Sequence, residues 1–133
     1  MNLKAYAGDL FLSGFNCAQA VAGAFADTMN AEENTLFRAA AGFGAGIGRL
    51  QHTCGAVSGA LIVIGLRFGR GSEDDPIEMK ETTYNKAKEF VTRFEKRMGS
   101  ILCLDLVDGI RTGTPEGRAE FIEKKYHEKV CAP

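Results

Sequence analysis

Four cysteines, Cys17, Cys54, Cys103 and Cys131, and two histidines, His52 and His127, are the residues of this 133-residue chain best suited to covalent or metal chemistry. The cysteines stand 37, 49 and 28 residues apart and none belongs to a Cys-x-x-Cys pair. The clustered signatures of zinc ribbons, ferredoxins and thioredoxin-like centres are therefore absent. Three cysteines follow good helix N-cap residues: Asn16 directly before Cys17, Thr53 directly before Cys54, and Ser100 three positions before Cys103. A sulfur in the first turn of a helix meets free backbone N–H groups and the positive end of the macrodipole. That setting lowers a thiol pKa and makes the sulfur a better nucleophile or metal ligand near neutral pH. The alternative for any one cysteine is a small buried hydrophobe.

The neighbours of Cys54 fit a crowded site. Gly55 and Gly59, then Ala56 and Ala60, lie four apart and form a smooth strip that another helix can approach closely, and Ser58 lies four residues after Cys54. Upstream, Gly42, Gly44, Gly46 and Gly48 alternate too densely for a regular helix. A dinucleotide fingerprint would need glycine at 47 or 49, where Ile47 and Arg49 stand, and no strand precedes the run. The reading that fits is a bare loop that lets another group approach Cys54, with Arg49 or His52 supplying positive charge. His52 with Cys54, and His127 with Cys131, could each join a metal site, although neither spacing is diagnostic. Lys124, Lys125, His127 and Lys129 give the surroundings of Cys131 a local basic character, diluted by glutamates.

These residues must be positioned by helices, because no alternating β-branched run is bounded as a hairpin whereas several segments carry three-to-four-residue apolar spacing. Helices are expected over Leu3 to Leu12, Asn16 to Met29 with Val21 and Phe25 on one stripe, Glu32 to Ala41, and Cys54 to Phe68, with a break at Ser13-Gly14. Gly23 marks close packing. Asp75 as N-cap and Pro76 as first residue start the longest amphipathic helix, to Met98, with the stripe Ile77, Tyr84, Ala87, Val91, Phe94 and Met98. Gly99 stops it. A short helix follows in "SILCLDLVDG", and a last one starts at Thr114-Pro115. The expected fold is an all-α, single-domain bundle over residues 1–133, of about five to seven helices, with a glycine-rich loop before the central helix.

Composition narrows the partners. Sixteen Lys and Arg against seventeen Asp and Glu give a net charge of −1, which provides no field to recruit nucleic acid or an anionic membrane. The longest apolar stretch, Ala56 to Leu66, is broken by Ser58, Gly59 and Gly65 and falls short of the roughly 20 residues that span a bilayer. The start "MNLKAYAGDLFLSGF" lacks an export pattern, so the expected location is the cytoplasm, where thiol pools keep structural disulfides reduced.

Across nearly its whole length the chain resembles the C_GCAxxG_C_C family. The resemblance rests on "GFNCAQAVAGAF" with Cys17, "AAGFGAGIGRLQHTCGAVSGALIVIGLRFG" with Cys54, "GSILCLDL" with Cys103, and Cys131. The central motif reads Cys54-Gly55-Ala56-x-x-Gly59, so the label's Gly-Cys order is not reproduced letter for letter. The resemblance implies an all-α, redox-active or cysteine-centred protein. On this reading Cys54 is the leading nucleophile of a thiol-disulfide oxidoreductase-like reaction, resolved by Cys17, Cys103 or Cys131, without a cofactor and with a redox partner or small thiol as substrate. Two alternatives stay open. One is a four-thiolate site of Cys17, Cys54, Cys103 and Cys131 for zinc or an iron-sulfur cluster, with His52 and His127 as secondary ligand candidates. The other is a non-catalytic interaction protein with packed cysteines. Homo-oligomer formation is also left open.

Overall fold

The chain folds around a helix whose start is fixed by two residues. The Asn16 side chain accepts the Gln19 N–H at 2.8 Å while the Asn16 N–H donates to Gln19 Oε1 at 3.0 Å, a capping box that satisfies two orphan donors at once. The computed structural model describes residues 3–106. Within them lie α1 (Leu3–Leu12), α2 (Cys17–Ala24), α3 (Glu33–Ala40), α4 (Gly55–Phe68), α5 (Glu78–Met98) and the single-turn α6 (Cys103–Leu106). The one pairing of extended backbone among the described residues is an isolated antiparallel bridge between Thr53 and Leu102. The fold is all-α, as the sequence predicts. No helix among the described residues is long and apolar enough to cross a membrane.

Helix α2 is central, packed against α1, α3 and α4. The sequence predicts a helix running from Asn16 to Met29 with Val21 and Phe25 on one stripe. In the structure it ends at Ala24, the Phe25 N–H closes on Ala22 and Gly23, and the buried positions are Ala18, Ala20, Ala22, Gly23 and Ala24. A helix enclosed on several sides has no single apolar stripe, and small residues let its neighbours come close. Gly23 shows this directly: a Cβ there would run into the ring of Phe37, which stacks on Phe15 with centroids 4.1 Å apart. One core group joins Ala18, Ala22, Ala26, Leu36 and Ala40 with Ile62, and another joins Leu10, Phe11, Ala20 and Ala24 with Tyr6, Phe15 and Phe37. The Tyr6 hydroxyl donates to Glu33 at 2.7 Å, tying α1 to α3.

Helix α5 packs along α4 and ends at Gly99, whose φ of +88° suits a left-handed cap and whose N–H donates to the Glu95 carbonyl at 2.7 Å. Its 21 residues outrun the 14 of α4, leaving Ile77 and Met98 of the predicted stripe exposed at its ends, along with Tyr84. Asp75 does not cap α5. Its carboxylate folds back to accept the N–H groups of Gly71 and Ser72 at 2.9 and 3.1 Å, because the turn before the helix offers two donors and the helix start is at Glu78. The helix expected from Thr114-Pro115 lies outside the described residues.

Candidate functional site

The glycine run is a left-handed turn. After a 3-10 turn at Ala41–Phe43, residues Ala45, Gly46, Ile47, Gly48 and Arg49 all have positive φ, between +53° and +70°, and so does Gln51 at +60°. Glycine adopts this region freely, whereas each L side chain in a left-handed helix costs about 1–2 kcal/mol. The turn closes through Gln51 N–H to Ala45 carbonyl at 3.2 Å and His52 N–H to Gly46 carbonyl at 2.9 Å. A Cβ on Gly46 would overlap the Gln51 backbone. The loop therefore serves to deliver residues 51–54 in a set direction.

That delivery brings Cys54 and Cys103 together. Segments 51–54 and 101–104 run antiparallel, with Cys54 N–H donating to Ile101 carbonyl and Cys103 N–H to His52 carbonyl, both at 2.6 Å, and Leu104 N–H to Gln51 carbonyl at 3.2 Å. The two cysteines flank the Thr53–Leu102 bridge. Cys17 arrives from the other side: the first residue of α2 lies against Gly55, where an added Cβ would collide with the Cys17 Sγ. Gly59, one turn on, presses against Ala18 and Val21. The small-residue strip expected after Cys54 is thus the contact surface that seats Cys17 beside it.

Cys17, Cys54 and Cys103 are free thiols, each half-buried. They are close enough to feel one another's charge: Cys17 raises the pKa of Cys54, and Cys54 and Cys17 both raise that of Cys103. The N-cap pattern predicts lowered thiol pKa values, and for Cys54 and Cys103 the structure corrects that expectation. Burial is the largest influence on Cys54 and pushes its thiol up; the N–H groups of Ala56 and Val57, aimed at the sulfur from the first turn of α4, pull the other way without prevailing. Burial also pushes the Cys103 thiol up to about 11, with the side chain of Gln51 acting in the opposite direction. The helix-start argument holds for the direction of the amide effect and fails on the balance, since desolvation and like charges act together.

The caps differ in detail as well. Cys54 itself is the N-cap residue of α4, its carbonyl accepting Val57 and Ser58 N–H at 2.9 and 3.1 Å, while Thr53 is taken up by the bridge. Ser100 accepts the Leu102 N–H at 3.0 Å and donates to Asp105 at 2.8 Å. His52 is exposed and joins the site through its backbone. Among the described residues no three His, Cys, Asp or Glu side chains are grouped to hold a metal ion. Cys131 and His127 lie outside the described residues.

Gln51 was missed by the sequence reading. It is buried, at 4% exposure, and its amide reaches Cys103. Only the fold of the left-handed turn puts it there, and no spacing rule would have selected it. Asn16 was read as a cap, but its second task, a hydrogen bond from its amide to the Ala41 carbonyl at 2.9 Å, ties the start of α2 to the glycine turn.

A helical scaffold that gathers free thiols from three separate segments defines a cysteine-centred all-α protein. The chain belongs to the C_GCAxxG_C_C family, described as "Putative redox-active protein (C_GCAxxG_C_C)", which matches residues 15–133. No curated protein and no solved structure matches it.

Proposed function

We propose that the protein performs thiol-disulfide exchange, with Cys54 as the attacking thiol and Cys17 or Cys103 as the resolving one. One observation carries this reading: thiols from the starts of α2, α4 and α6 share a neighbourhood in which the charge of one is felt by the others. The general redox character agrees with the family. Cys54 is the choice for attack because two backbone N–H groups face its sulfur and stabilise negative charge as it forms. In the first step the Cys54 thiolate attacks one sulfur of a small disulfide, forming a mixed disulfide and releasing one thiolate. A neighbouring thiol then gives up its proton to that thiolate or to water and attacks the Cys54 sulfur, expelling the second. Two protein thiols become one disulfide and the small disulfide becomes two thiols. Burial, with the charge of the neighbouring thiols added to it, disfavours ionisation of Cys54 and Cys103, so that a single thiolate acts at a time.

Titration with hydroxyethyl disulfide under dilute conditions tests the reading by intact mass. The expected product is a monomer lighter by two hydrogens, restored by added thiol, and Cys54→Ser should lose it. A wild-type protein that forms no internal disulfide, or a Cys54→Ser variant that oxidises as the wild type does, would overturn it.

A further inference from the structure

The left-handed turn also forms one wall of a cleft. Between it and the start of α2 lies an open cavity of about 300 Å³, lined by Asn16, Ala41, Gly44, Ala45, Gly48 and Arg49. Arg49 is the one ionisable residue of that lining, and no carboxylate among the described residues pairs with it. Its backbone is held at φ +67°, and that of Ala45 in the same lining at +53°. The cleft has a second polar group. The amide nitrogen of Asn16 carries two N–H bonds, of which one is given to Ala41, leaving a donor beside Arg49's turn. Gly44 packs directly against that side chain, since a Cβ at this position would lie 2.6 Å from the Asn16 Cγ, and so fixes the amide at the wall of the cleft.

The cleft adjoins the thiols along the chain on both sides. Asn16 is followed by Cys17, and the turn carrying Arg49 runs directly into the segment ending at Cys54. We infer that the cleft is the seat for the carboxylate of a small acidic disulfide, gripped by the Arg49 guanidinium and the Asn16 amide while its sulfurs meet the cysteine cluster. This rests on the exchange reading and names the class of its substrate. A planar guanidinium fork matches a carboxylate edge, and a single cation with neutral neighbours balances one negative charge rather than the two of a phosphate ester.

The test separates the seat from the chemistry. Suberate is a sulfur-free dicarboxylate of the same chain length as dithiodipropionate, and calorimetry measures its binding to the full chain and to Arg49→Ala, Arg49→Lys and Arg49→Glu. Suberate should bind the wild type, about fivefold more weakly to Arg49→Ala, with Arg49→Lys between them, no binding to Arg49→Glu, and weaker binding in added salt. In parallel, the ratio of oxidation rates with dithiodipropionate and with the neutral hydroxyethyl disulfide should exceed one in the wild type and fall toward one in Arg49→Ala. Absence of suberate binding, or equal binding by wild type and Arg49→Glu, overturns the seat whatever the thiols do. Arg49-dependent suberate binding with both disulfides inert would uphold the seat and overturn the exchange reading. Circular dichroism of each variant confirms that it is folded.

Discussion

Replacing Gly59 by alanine probes the contact that holds Cys17 beside Cys54. A Cβ built on Gly59 falls 2.6 Å from the Ala18 carbonyl oxygen, 3.1 Å from the Val21 Cβ and 3.2 Å from the Ala18 Cα. Two of these atoms are helix backbone, so relief requires α2 and α4 to separate by about half an ångström, and overpacking of this kind costs about 1–3 kcal/mol. Removing a helix-interior glycine returns about 0.5–1 kcal/mol, leaving Gly59→Ala less stable than the wild type by up to about 2.5 kcal/mol. Gly65 sits in the same helix with nothing within 4 Å of a built Cβ, so Gly65→Ala should keep the propensity gain alone and be about 0.5–1 kcal/mol more stable. Urea unfolding followed by circular dichroism reads both variants, and the slope with denaturant should stay unchanged while the midpoints move in opposite directions. The reasoning is refuted if Gly59→Ala is as stable as Gly65→Ala.

Three further predictions concern the cap, the turn and the thiols. Asn16→Ala removes both the capping box and the amide bond to Ala41, and should cost about 1–2 kcal/mol in urea unfolding, against no loss if the cap were incidental. Ala45→Gly, an exchange that destabilises most helical positions, should stabilise the protein by about 1 kcal/mol because Ala45 has φ +53° and ψ +42°; a lower urea midpoint would contradict the left-handed turn. For Cys103 the folded-state pKa is raised, from 9.0 to about 11, so its protonated form contributes stability that is whole below the ordinary value and is lost as pH rises toward the folded one. Partial exposure reduces the full linkage energy to about 1 kcal/mol. Between pH 9.0 and about 11 the wild type should therefore lose about 1 kcal/mol more urea stability than Cys103→Ser, and equal losses would refute the assignment.

The helices were legible because their boundaries depend on local chemistry. The break at Ser13-Gly14, the cap at Asn16 and the stop at Gly99 each act within one turn of the chain. The extent and burial of α2 were not legible, because burial of Ala20 and Ala22 in place of a Val21 stripe is decided by neighbours distant in sequence. The site divides in the same way. Cys17, Cys54 and Cys103 could be picked out by their polar predecessors, and Arg49 by its place in the glycine run. The raised pKa values of Cys54 and Cys103 could not, since amide stabilisation is a local effect whereas desolvation depends on the completed fold. The pairing of segments 51–54 and 101–104 spans all of α4 and α5 and leaves no trace in either segment's composition, so Gln51 is brought to Cys103 only by the completed fold.

The claim at the centre is that Cys17, Cys54 and Cys103 meet. Its most direct test is disulfide mapping by peptide mass spectrometry on a Cys131→Ser protein, oxidised at high dilution by a small disulfide. The account predicts a crosslinked peptide within one molecule that joins Cys54 to Cys17 or to Cys103. Three cysteines that take up the reagent separately, or that pair only between molecules, would contradict it.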